Sequence, residues 1–422
     1  MASTPRKFII TTWEGGGSVG PAVTVARKLV EAGHDVRVMS DAVNRAEAEA
    51  AGARFVPWTR APSRTDRSKD SEILRDWDAA NMAEGFARVV DSLVTGPSLG
   101  YAQDVMEELQ REGADLVVTS ELLLGVMAGC EALDQPFAML PCNSMLITIK
   151  AALESAAASP PPPPANEQEA QRAAVIGAMA ACFMHGLGAM NATRETIGLP
   201  PVNHLFEQLA PAKKTLVAVS PTFDFIPADP PGMAYVGPQL DDPAWAESWQ
   251  SPWAADDERP LVLVGFSTTF QNHVGVLQNV VDALGTLPVR ALVTLGPTIA
   301  PSELNAADNV HIVPSAPHNA VMKDASLVVT HGGYGTLARA LSHKLPMLVL
   351  PQGRDQGGNA EKLMAHGAGM ALPPDADTAT IAAVVGKLLN EASYKEAAAK
   401  LGGAVDREMR ESRIVEELEA LA

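Results

Sequence analysis

Cysteine is scarce in this chain of 422 residues: Cys130, Cys142 and Cys182 have no close pairing and no metal-ligand spacing. That excludes a disulfide framework and a zinc signature, and it suits a reducing compartment. Positive charge is short as well. Lys and Arg number 32 against 50 Asp and Glu, a net charge of −18. An acidic surface repels phosphate backbones and anionic headgroups, so neither nucleic acid nor a membrane is an expected partner. After Arg6-Lys7 the apolar stretch Phe8-Ile9-Ile10 stops at Thr11, too short for an export signal, so the expected location is the cytoplasm. The 9 histidines are dispersed, with no pair four apart beside an acid, which argues against a metal hydrolase. No G-x-S-x-G elbow and no P-loop lysine motif occur.

What is present fits two α/β units. With 47% hydrophobic residues the chain can fill two cores. It opens with an apolar strand, Lys7 to Thr12, a Gly-rich turn, Glu14 to Gly20, and Pro21 in the first turn of a helix that Gly33 ends. Asp35 to Ser40 is the next strand, and this βαβ start implies a parallel, doubly wound sheet. The pattern loosens from Pro57 to Gly100, then resumes with Leu116-Val117-Val118, a helix near Gly125 to Leu133, and a strand at Phe137 to Leu140. Pro160 to Pro164 form a stiff extended segment, expected as a surface loop. The most membrane-like segment, Ala173 to Met184, spans only ~18 Å as a helix against a hydrocarbon core of ~30 Å, and is expected as a buried or pocket-lining helix. Strand–helix alternation restarts at Leu261 to Phe266. Strands follow at Arg290 to Leu295, Val310 to Val313, Leu327 to Thr330 and Met347 to Leu350, and the charged tail is helical. The expected division is 1–240 for an N-terminal unit, 241–258 for a linker, 259–400 for a second unit, and 401–422 for a helix returning to the first.

The chemistry is densest in the second half. The strand Leu327-Val328-Val329-Thr330 runs into His331-Gly332-Gly333-Tyr334-Gly335-Thr336 and a helix. Glycines at a strand-to-helix turn let an anion approach the backbone, and the free N–H groups of the helix start attract negative charge. One unit later, Asp355-Gln356 offers a carboxylate and an amide suited to sugar hydroxyls. Ser267-Thr268-Thr269 supplies hydroxyls after the first strand of this half.

These motifs, with Pro317-His318, Pro351, Asn359 and Val236-Gly237-Pro238, resemble the nucleotide-sugar half of GT-B glycosyltransferases. More narrowly the chain is similar to bacterial family 1 enzymes that glycosylate natural products such as antibiotics. The resemblance implies two Rossmann-like, doubly wound parallel-sheet domains facing across a cleft. It implies an inverting transfer from a UDP- or dTDP-sugar co-substrate to a hydrophobic small molecule, with no cofactor and no required metal. On the donor side it implies His331 and the amides of Gly333, Tyr334, Gly335 and Thr336 for the diphosphate. Thr268 and Thr269 would assist, Ser315 and Ala316 would border the base, and Asp355 and Gln356 would hold the sugar. The acceptor pocket is expected to draw on Trp77, Met82, Phe86, Met145, Met179, Phe183 and Met184, whose adaptable Met content suits a bulky lipophilic partner.

Such enzymes carry a catalytic His in the first loop and an Asp after a later strand. Here those positions fall on Ser18 and Ser120, and a serine hydroxyl is no base at neutral pH. The nearest carboxylates are Glu14 and Glu121, with His185 further off. A relocated base, an acceptor that is already acidic (a phenol, an acid or an aromatic nitrogen), or binding without transfer are the alternatives. A different reading comes from Gly15, Gly17 and Gly20, a literal G-x-G-x-x-G with Asp41 about twenty residues on, the fingerprint of an NAD- or FAD-dependent oxidoreductase.

Overall fold

In the computed structural model, residues 4–422 are described except 16, 159–162, 242–248 and 267–268. Seven strands form the first sheet: β1 Lys7–Thr11, β2 Asp35–Ser40, β3 Arg54–Pro57, β4 Leu116–Thr119, β5 Phe137–Met139, β6 Thr215–Val217 and β7 Met233–Tyr235. Six form the second: β8 Leu261–Gly265, β9 Arg290–Thr294, β10 Val310–Val313, β11 Ala325–Thr330, β12 Met347–Val349 and β13 Gly369–Ala371. Their orders are β3-β2-β1-β4-β5-β6-β7 and β10-β9-β8-β11-β12-β13, every pairing parallel.

The central strands are apolar on both faces because helices cover both. Phe8, Ile9, Ile10, Val117 and Val118 are inaccessible in one sheet, as are Leu263, Val264, Val328 and Val329 in the other. In both sheets the strand order reverses between the first strand and the fourth, β1 beside β4 and β8 beside β11. Loops leaving such neighbours diverge and open a crevice at the carboxyl ends. The two crevices are where the loops of the Ser18 and Ser120 positions, and of Thr269 and residues 331–336, emerge.

Two further features join the lobes. The helix Ala392–Arg410 packs Ala398, Leu401 and Val405 into the second-lobe core, and after a break the helix Ile414–Leu421 sinks Ile414 and Leu418 into the first. The contact with the first lobe begins before the break, where Glu408 accepts the Ser220 and Thr222 hydroxyls. Tyr334, at the head of the helix Tyr334–Ser342, accepts the Ser220 N–H at 2.6 Å through its hydroxyl.

Of the two expectations for the Ala/Met helix, buried or pocket-lining, burial is corrected. In the helix Glu167–His185 only Ala180 and Phe183 are buried among the described side chains, and Ala173, Ala174, Gly177 and Ala178 face solvent. Together with the helix Leu187–Thr196, from which Gly186 separates it, the stretch Ala173–Thr196 is long and apolar enough to cross a membrane by length and composition. Of the polyproline segment, Pro160 to Pro162 lie outside the described residues, as does 242–248 of the expected linker.

Candidate functional site

On the second-lobe side the turn is built as its sequence demands. Gly332 has φ +97°, and a Cβ there would stand 2.7 Å from Val349 Cγ1, so only glycine fits. A Cβ on Gly333 would meet the His331 ring at 2.8 Å, so the imidazole lies flush over the turn. Tyr334 and Gly335 head the helix, where first-turn amides have no intrahelical acceptor. The Thr336 N–H instead turns back to the Gly333 carbonyl at 3.1 Å, so it is engaged where an available donor was expected. The Tyr334 side chain is buried against Phe223 and serves the lobe contact, leaving to an anion its backbone, the group the expectation named.

His331 is buried, 8% exposed, and burial holds its pKa down at about 3, so the ring is neutral and offers one N–H. Phe266 stacks on it at 6.1 Å. Phe266 also stacks on His273, at 5.9 Å and 11°. His273 is fully buried, both its ring nitrogens lack a partner, and burial lowers its pKa to about 4. Nothing in the sequence pattern singled it out. Its only sequence signal is a His four residues beyond the hydroxyl triplet.

Asp355 stands just before the helix Gln356–Ala365 without a side-chain capping bond, and accepts Asn359 Nδ2 at 2.8 Å; burial raises its pKa. Gln356 is more committed than the sugar-binding expectation supposed. Its Oε1 accepts the Gln352 and Gly353 amides, and its Nε2 donates to Gln271 Oε1 at 2.9 Å, so the side chain braces the loop. Thr269 Oγ1 accepts Arg354 Nη1 at 3.1 Å, while Thr268 lies outside the described residues. Ser315 and Ala316 are half-buried in the loop that leaves β10.

Arg354, with φ +56°, forms a bidentate pair with Asp76 of the first lobe at 2.8 and 3.1 Å. Beside it Trp77 meets Phe270 edge-on at 5.0 Å, with Lys69 Nζ 4.2 Å above the Phe270 ring. Trp77 was expected among acceptor groups; it bridges to the hydroxyl turn of the opposite lobe instead. Phe183 is corrected too: 1% exposed and stacked on Phe206 at 4.7 Å, it is core. Phe86, Met145 and Met179 are each half-buried against the same first-lobe core. Met184 is half-buried on the same helix as Met179, and the Met82 side chain lies outside the description.

On the first-lobe side, Thr12, Ser18, Ser120 and Cys142 line one small cavity where β1, β4 and β5 end. The two serines therefore do share a site. Glu14 does not point there as an available base: it is 2% exposed and takes Arg67 Nε at 3.1 Å, with burial raising its pKa against the pull of Arg67 and Arg64. The dinucleotide reading fails on the same loop. Asp41 Oδ2 accepts the Glu14 N–H at 2.8 Å and Oδ1 the Arg64 N–H at 2.9 Å, so it is committed to its own backbone. The Trp13 ring fills the space above Gly15, where a Cβ would lie 2.1 Å from it. His185 is exposed, 3.5 Å from Asp91, on the outer helix.

Comparison with known proteins agrees with this geometry. Residues 278–421 match the model of the erythromycin biosynthesis protein CIII-like C-terminal domain. Among curated relatives, 4'-demethylrebeccamycin synthase of Lentzea aerocolonigenes is 26% identical over 375 residues, 87% of each chain. The solved glycotransferase of kitacinnamycin superposes with a TM-score of 0.74 at 19% identity, covering 98% of each chain. The glycosyltransferase VinC, solved in complex with dTDP, does so at 0.67 and 18%, again over 98% of each. These structures fix the two-lobed architecture as the GT-B fold.

Proposed function

We propose that this chain of GT-B fold is a nucleotide-sugar-dependent glycosyltransferase that moves a hexose from a UDP- or dTDP-sugar to a lipophilic small-molecule acceptor with inversion at the anomeric carbon. The observation that carries this reading is the turn from His331 to Gly335 at the reversal point of the second sheet, opposite the crevice of the first. A leaving diphosphate gains charge as the glycosidic bond breaks. The amides of Gly333, Tyr334 and Gly335 and the neutral His331 ring are fixed donors that need no reorganisation to receive it. Because they supply the stabilisation, no metal is required to do so.

Asp355 stands one strand over from that turn, where hydroxyls of the transferred sugar would reach it. The acceptor enters from the first lobe, along the half-buried apolar surface of Phe86, Met145 and Met179. A single displacement with the nucleophile on one face and the diphosphate on the other gives inversion. Incubating the chain with UDP- and dTDP-sugars and a panel of phenolic, hydroxylated and heteroaromatic acceptors tests the proposal by product mass. A mass gain of one hexose or deoxyhexose supports it; donor hydrolysis or no product across the panel contradicts it.

A further inference from the structure

We propose that Glu121 is the catalytic base that takes the acceptor's proton, in place of the histidine that the first loop lacks. The inference rests on the transferase reading above. Glu121 follows Ser120 at the end of β4, at the reversal point of the first sheet, and is 5% exposed. Its hydrogen-bond donors are neutral: Ser120 Oγ at 3.2 Å to Oε2, and Asn143 Nδ2 at 3.5 Å to Oε1. No ion pair to it occurs among the described residues. The neighbouring buried carboxylates of this lobe are all committed: Glu14 to Arg67, Glu72 to Arg64, Asp41 and Asp104 to backbone amides. A buried carboxyl without a cation is costly to ionise and holds its proton to higher pH.

The groups facing it come from both lobes. Cys142, in the loop after β5, feels the charge of both Glu121 and Asp355. Asp355, which in turn lies near Arg354 and Lys362, raises the pKa of Glu121. Burial is the larger cause, and together they bring Glu121 to about 7, where a carboxylate is both ionised and basic at neutral pH. Glu121 and Asp355, one from each lobe, thus stand close enough for their charges to interact, at the carboxyl ends of strands where acceptor and anomeric carbon must meet. In the step, the acceptor O–H or N–H proton passes to a Glu121 carboxylate oxygen as the acceptor's lone pair bonds to the anomeric carbon. The bond from that carbon to the diphosphate oxygen breaks, and its electron pair leaves with the nucleoside diphosphate. Ser120, donating to Glu121, is a positioning residue.

The test is E121Q, assayed with an alcohol acceptor and with a nitrophenol that is already ionised. With the alcohol, kcat is expected to fall roughly a hundredfold to ten-thousandfold, while calorimetric affinity for UDP or dTDP is kept. The wild-type rate should rise through about pH 7 and the variant's should be flat. With the nitrophenol the loss should shrink, and formate should restore part of the rate of E121A; a structural role would produce neither result. If wild-type transfer survives in E121Q with its pH profile intact, or if the loss is equal for both acceptors, Glu121 is not the base. If the wild-type chain binds the nucleoside diphosphate and glycosylates nothing, the transferase reading falls and this one with it.

Discussion

His331 and Glu121 are both buried titratable groups, and burial acts on them in opposite senses. It disfavours charge, so it strips the proton from an imidazole and keeps it on a carboxyl. In the proposed site a neutral His331 would donate a single N–H to the diphosphate. H331A should therefore weaken UDP or dTDP binding by roughly tenfold to a hundredfold, the value of one hydrogen bond to a charged group; calorimetry would show it. His273 bears on stability. Its folded pKa of about 4 lies below its unfolded value near 6.5, so its contribution is complete above pH 6.5 and is lost as pH falls towards 4. The loss is on the order of 3 kcal/mol. Denaturant titrations of wild type and H273L between pH 7 and 4 should show a shallower acid slope in the variant. At this scale the sequence was informative where a residue's role is local. The His331-Gly332-Gly333 turn was legible because a strand leads directly into it. The partnerless nitrogens of His273 and the Arg67 grip on Glu14 were not, since both depend on segments far apart in the chain.

At the scale of elements, the strands of the two sheet centres were read nearly to the residue, since runs such as Leu116–Thr119 and Leu261–Gly265 are apolar on both faces. The edge strands β3, β7 and β13, and β6 next to the edge, were missed; each is only three or four residues long. Cross-lobe pairs were missed for a different reason, because nothing local links Asp76 to Arg354 across 278 residues. That pair and the Trp77–Phe270 contact hold the lobes together beside Asp355. D76A and R354A should each raise the donor KM, and the double variant should cost less than their sum. The expected coupling is about 1–3 kcal/mol for a partly desolvated bidentate pair, read by a double-mutant cycle on kcat/KM. In the turn itself, G332A adds a left-handed strain of about 1–2 kcal/mol to a 2.7 Å clash with Val349. A lower melting temperature and weaker UDP or dTDP binding should appear together.

For the whole molecule, the parallel architecture and the cleft followed from the βαβ rhythm, but how the chain's last turns tie the lobes did not. Ile414 and Leu418 are buried in the first-lobe core, and Glu417 and Glu419 reach Lys214 at 2.6 Å and His34 at 3.0 Å. Deleting 411–422 should destabilise the first lobe by about 3–6 kcal/mol, the value of two buried aliphatic side chains. Scanning calorimetry should then separate a lower first-lobe transition from an unshifted second one. The central claim is that the two reversal points face each other across one reaction, diphosphate on one side and proton acceptor on the other. A crystal structure of the chain with a non-hydrolysable UDP- or dTDP-hexose tests this most directly. It should show the phosphates on His331 and the amides of 333–335, with the anomeric carbon between Asp355 and Glu121. A nucleotide seated on the Gly15–Gly20 loop, or a sugar turned away from Glu121, would contradict it.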